Sequence, residues 1–596
     1  MKGLLPLFLL SLFSIMHLRI SVFLFFIQQF CHSQVQIGIP IDTLRSSYSS
    51  LGKLDTMDFN GIYFSSSFPL RSIHNRFGFP SIDLLDMNSS IYSSIQNKKA
   101  ALTFSALPHV GFSYLFGSQG SQLLGLNYQQ AFKKEFLLNA QIGTDKTDGF
   151  FRNTAFSKSS YAFQLARKSK QHSFLLVVFR GKELREWNGG VISDSQAVNF
   201  SPDLLPVKKN NASSLFINSK ICLTNSVSLF SDSSRVFGIE IKQYYENIKR
   251  TYLENYSIVN SYDSIYFNST QTNDIYTLKT FENQVGGFYK TPFLEFSSHV
   301  VIRNWRYSNF EIKSDTTEFD LNERIQFKNK FLKFTNSASY NLYGAKNALS
   351  SFSEVSSVFL GYKITINHSF HRRLPLVFQR YYSSNNVFYK MENFELQTHQ
   401  KLKIAVSKSI GKQVFSLDYA LVSFKQNYFF NTSISEWKRD LDVSSSLIQQ
   451  AKISSEFHFL VFHIYPSYTF TKMDESINFL PQHTFETRFL IKGGIFKAKK
   501  LKGMLGFDFI ILSSYKSLTF NPQMGIFDFK LLSQTAFNSG TMNAGVFTGF
   551  EVDKFRFYLR WDNLAYLWEN RMQTFVIGSP MPSTQIKIGL TWDFWN

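Results

Sequence analysis

Four histidines come nearest to a reactive site in this chain: His368 with His371, and His458 with His463. Paired imidazoles can hold a transition metal, but only where both rings point the same way. Residues three or five apart on one strand face opposite sides, so neither pair is expected to share a metal. Signatures of catalysis are missing too: there is no nucleophile elbow, no His-Glu-x-x-His, no Walker loop and no dinucleotide fingerprint. No enzyme activity and no cofactor are therefore expected. What remains is a set of charged residues on alternating positions: Glu295, Arg303, Arg556, Arg560, Asp562 and Lys587. Their chemistry is that of ion pairs bracing an interior, or of charged rings that set the ion preference of a water-filled passage.

Strands must position them. In the terminal segment, Ile586, Ile588, Leu590, Trp592 and Phe594 share one face, and Lys587, Gly589, Thr591 and Asp593 the other. Just upstream, Phe555, Phe557, Leu559 and Trp561 oppose Arg556, Tyr558, Arg560 and Asp562. Leu294, Phe296, Val300 and Ile302 likewise face away from Glu295, Ser297, His299 and Arg303. Ser121–Tyr128 and Phe136–Ile142 form an expected hairpin around Lys133-Lys134-Glu135. A soluble sandwich strand also buries one face and wets the other. The crowding of Trp592, Phe594 and Trp595 at the end of the last strand fits the aromatic girdle of a transmembrane barrel better.

Composition agrees. The chain has 596 residues, of which 66 are Phe and only 18% are charged, against about 25% in soluble domains. Beyond the N-terminus no apolar run reaches the ~18 residues of a membrane-crossing helix. The net charge of +20 comes from basic residues spread along the chain rather than in blocks, so nucleic acid is not an expected partner. Of the two cysteines, Cys31 falls in the leader and Cys222 stands alone, which excludes an internal disulfide in the mature chain.

Residues 1–33, with Lys2 and Arg19 around two apolar stretches, read as a signal peptide whose true start is Met16 and whose cleavage falls near Ser33–Gln34. Residues 34–58 read as a periplasmic lead-in and residues 59–596 as one barrel. The polar stretches 186–213, 245–278 and 426–450 read as outside loops. The expected fold is therefore an all-β, transmembrane, antiparallel up-and-down barrel of about 14–18 strands in the bacterial outer membrane. The apolar faces named above would meet lipid and the six charged residues would line the lumen.

Five segments carry a resemblance: Leu107–Ser118, Asp148–Thr154, Glu186–Val191, Phe520–Phe527 and Gly578–Pro582. In order and spacing they are similar to the β-barrel porins of Bacteroidetes. That resemblance implies an outer-membrane barrel with a porin role, inserted by the barrel-assembly machinery through its last strand; it implies no catalytic or ligand residues. The expected function is a passive or weakly selective channel for small polar solutes, with a basic lumen favouring anions. Alternatives are a barrel that carries hydrophobic compounds, a closed barrel serving surface assembly or secretion, and a secreted β-rich adhesin. TonB-dependent import is not expected, because the segment ahead of the strands is short for a plug domain. Replacing Leu590 with Arg should be costly, and Thr591→Arg tolerated.

Overall fold

The computed structural model describes residues 108–595, apart from short connecting segments such as 193–199, 256–264, 439–444 and 529–536. The expected leader, the lead-in and residues 59–107 of the expected barrel lie outside the described residues. Strands follow one another with tight turns at one end and longer loops at the other, and each pairs antiparallel with its neighbours in sequence. The first, His109–Gly117, pairs with Ser121–Phe132 on one side and with the last, Gln585–Trp595, on the other. Phe112 stands opposite Trp592 and Tyr114 opposite Leu590 in that closing ladder. The sheet is thereby a closed 22-strand antiparallel barrel, and closure leaves no unpaired edge to satisfy in lipid.

The architecture is the expected one, but 22 strands exceed the expected 14–18. Hairpins here use little chain. Leu360-Gly361, Gly411-Lys412, Leu460-Val461 and Asp553-Lys554 each link two strands directly, and Leu360 and Gly361 both have positive φ, as a type I′ hairpin requires. Strands such as Leu349–Phe359, with serines on both faces, also lack the clean alternation that makes a strand countable from sequence. One strand is interrupted: Phe462–Ile464 and Ser467–Lys472 both lie between Ser445–Phe459 and His483–Gly494. Pro466, which has no N–H for the ladder, falls in the break.

The reading of 245–278 as a loop is corrected. Val236–Asn255 and Gln271–Lys290 are 20-residue strands paired along their whole length, whereas about 10 residues cross a bilayer. In their outer halves each face mixes polar and apolar residues, as in Glu246, Ile248, Arg250, Tyr252 and Glu254, so the alternation fades. Likewise Ser445–Phe459 takes the end of the supposed 426–450 loop. The 186–213 stretch is largely a loop, between strands ending at Trp187 and starting at Ala212.

Candidate functional site

The interior is built from the inward positions of these strands. Arg560 (2% exposed) and Lys587 (1%) are buried within the barrel, as are Arg556 and Asp562. Outward positions differ: Leu559, Trp561, Ile586, Ile588, Trp592 and Phe594 are exposed, and Phe555, Phe557 and Leu590 are partly so. The inward charges form a chain that crosses strands. Arg488 donates to Asp508 at 2.7 Å, Arg560 reaches the other Asp508 oxygen at 2.9 Å and Asp562 at 2.5 Å, and Lys587 meets Asp562 at 3.0 Å. Arg560 can span to Asp508 because the strand between them offers Gly545; a Cβ there would lie 2.7 Å from an Asp562 oxygen and 3.0 Å from an Arg560 nitrogen. Arg556 pairs with Glu551 at 3.0 Å and with Asp593 at 3.5 Å.

Arg303 lies on the other side of the ring, half-buried, with Glu282 at 2.8 Å, Glu318 at 3.1 Å and Asp320 at 3.0 Å. Glu295 sits near a tight turn, half-buried and paired with Lys290 at 3.0 Å. The structure thus joins Arg560, Asp562 and Lys587 in one cluster and separates them from Arg303 and Glu295. The partners Arg488, Glu282, Glu318 and Asp320 were not singled out from sequence; inward parity on their own strands was the available signal. The histidine reading needs one correction. His458 and His463 flank the Leu460-Val461 turn and stand directly opposite each other across the hairpin, with their Nδ1 atoms in contact. Parity along a single strand does not apply to residues on two. His368 instead contacts Gln400 at 3.0 Å.

The outer end holds what sequence did not anticipate. Two long connections turn inward there. In the first, residues 374–396 carry a short helical turn, Val377–Arg380, followed by a small hairpin. Tyr307 on the wall donates to the Tyr381 carbonyl at 2.7 Å, and Asn385 N–H donates to Asp274 at 3.1 Å. In the second, which follows Leu501–Leu512, Gln523 donates to the other Asp274 oxygen at 2.8 Å and to Ser384 at 3.1 Å. Arg250 donates to the Pro522 carbonyl at 2.6 Å and to the Gln523 carbonyl. The strands bearing Arg250 and Asp274 lie across the ring from the strand that launches Gln523, so this connection crosses the lumen to be held by the far wall. Tyr276, Trp305, Tyr307, Phe378, Tyr382, Met524 and Ile526 pack into one apolar cluster where both connections meet the wall. The bridge is thus held to the wall both by apolar packing and by directed hydrogen bonds to Asp274, Arg250 and Tyr307.

Four of the five segments that carried the resemblance converge at this same end, while Leu107–Ser118 supplies the first strand. Asn153 donates to the Trp187 carbonyl at 2.7 Å, and the Trp187 ring stacks on Phe520 at 5.2 Å. Val191 N–H donates to the Gly578 carbonyl at 2.7 Å. Gly190 and Gly578 both have positive φ, and a Cβ on Gly578 would lie 3.0 Å from the Gly190 Cα, so this contact needs glycine on both sides. Sequence motifs hundreds of residues apart therefore serve one structure, the mouth.

Solved structures of similar shape point the same way. The siderophore receptor PirA from Acinetobacter baumannii matches with a TM-score of 0.58 and 11% identity, over 83% of this chain and 81% of its own. The copper transporter OprC matches with a TM-score of 0.58 and 10% identity, over 83% and 82%. The FrpB iron transporter from Neisseria meningitidis matches with a TM-score of 0.57 and 10% identity, over 82% and 83%. At such identities the likeness is one of fold. Among curated proteins the comparison finds no match. The expectation of a passive, weakly selective channel is overturned: the lumen is bridged at its outer end, and the barrels of similar shape are receptors and transporters. The family model described as "Putative porin" matches residues 26–596, nearly the whole sequence, and the chain belongs to that family.

Proposed function

We propose that this protein is a gated outer-membrane transporter for small solutes, closed at rest by the two inward connections and opened when they withdraw. The observation that carries this reading is the latch in which Arg250 and Asp274 on one wall hold Gln523 from the opposite wall. Siderophores, iron and copper named for the proteins of similar shape support a small-solute cargo. The outward apolar residues from Phe555 to Trp561 and from Ile586 to Phe594 are proposed to meet lipid. The inward charges are proposed to brace the wall rather than to select ions. Residues 1–33 are proposed as the export leader, with insertion by the barrel-assembly machinery.

Purified wild-type protein in a planar bilayer should show little steady conductance. The pair Arg250→Ala and Gln523→Ala removes the hydrogen bonds of the latch and should produce open events at least tenfold more frequent. A steady, ohmic wild-type conductance that the double variant leaves unchanged would rule out the gate.

A further inference from the structure

Beneath the inward turn Val377–Arg380 lies a cavity of about 370 Å³, bounded by that turn and by the wall strands carrying Arg303, Glu318, Asp320, Asn341 and Arg373. Its size is at the lower end for a small-molecule site. Arg303 and both carboxylates are already engaged with one another. Arg380 is different. It is 7% exposed and lines the cavity, with its guanidinium 5.4 Å from the Trp305 ring centre, 5.7 Å from Tyr381 and 5.2 Å from Phe394. Its Nε is buried with no hydrogen-bond partner, and no carboxylate lies within ion-pair distance among the described residues. Glu318, on the same wall, spends one oxygen on Trp305 Nε1 and the other on Arg303, each at 3.1 Å.

A buried cation with an unsatisfied donor is costly, and burial of charge is ordinarily matched by a partner. Three aromatic rings lie within cation–π range of the guanidinium, which stabilises the cation but satisfies no N–H. A rigid planar fork with free donors is suited to an oxyanion, bound through two parallel hydrogen bonds. Leu278, Leu374, Leu376 and Val377 give the cavity an apolar part, beside the polar Thr280, Ser339 and Ser350, so a bare hydrated ion would leave that part poorly filled. We infer that this cavity is a binding site for a small organic anion, whose carboxylate or phosphate group is received by Arg380. The inference rests on the transport reading, of which it names the solute class. The site also lies on the inward turn itself, where an occupant would touch both the bridge and the wall.

The test is direct binding to the full chain in detergent by calorimetry, with succinate, glucose 6-phosphate and, as a neutral control, glucose. Wild-type protein should bind at least one of the two anions and not glucose; which one binds tells carboxylate from phosphate recognition. Arg380→Met retains the packing against the rings without the charge and should weaken binding at least tenfold, while Arg380→Lys should weaken it less. A second measurement uses wild-type protein alone: the bound anion should protect Arg380 from phenylglyoxal, as mapped by mass spectrometry. Absence of binding by both anions, equal binding by Arg380→Met, or no protection of Arg380 would each overturn the site. Bilayer conductance reports the gate separately, so anion binding by a protein that shows no gating removes the transport reading and leaves the site standing.

Discussion

Asp508→Ala should lower the stability of the barrel by about 3–5 kcal/mol, the range for breaking a buried ion pair by removing one member. Asp508 is fully buried and accepts from both Arg488 and Arg560, themselves largely buried. Truncating it leaves two guanidinium groups facing each other in a closed interior, beside the Phe547 ring that both of them approach. The measurement is the temperature at which the folded barrel loses its compact migration on gels. A companion variant sharpens it. Replacing Arg488, Asp508 and Arg560 together by Met, Leu and Met removes the charges as a group and keeps Asp562 paired with Lys587. Such wholesale apolar replacement is often near neutral, so the triple variant should be more stable than the single one. A single variant that melts with the wild type would show that the chain of charges does not brace this wall.

Leu590→Arg should cost about 2–4 kcal/mol, as charged substitutions do on the lipid face of a barrel near mid-membrane. Leu590 stands between Tyr114 and Phe557 on the outward face of the closing strand. Leu590→Phe keeps an apolar surface there and should stay within about 1 kcal/mol of wild type, as volume-tolerant apolar exchanges do. Refolding into lipid vesicles measures both. Equal losses for Arg and Phe would mean that the face packs against protein rather than lipid. The companion expectation that Thr591→Arg would be tolerated is withdrawn. Thr591 is 8% exposed and pairs in register with Arg556, so an added arginine would meet both a like charge and a filled interior.

The sequence by itself determined the strands near the two ends of the chain, each with one apolar and one polar face. A period of two is a local property, set wherever one face is apolar and the other polar, and Phe555–Asp562 and Gln585–Trp595 satisfy it residue by residue. The same local rule failed where both faces mix polar and apolar residues, as in Leu349–Phe359 and the outer half of Val236–Asn255, and so the strand number was underestimated. It failed again at His458 and His463, because facing across a hairpin depends on where the chain turns. Only the tertiary structure decided that Arg560 reaches Asp508 across Gly545, that Gln523 crosses the lumen to Arg250 and Asp274, and that Arg380 is buried against three rings with no ion pair among the described residues. Those contacts join residues from distant strands, and nothing in the local pattern of either partner encodes how far round a closed ring the other will lie. The alternation made a barrel legible; closure of the ring brought opposite walls close enough for a connection to bridge its outer mouth.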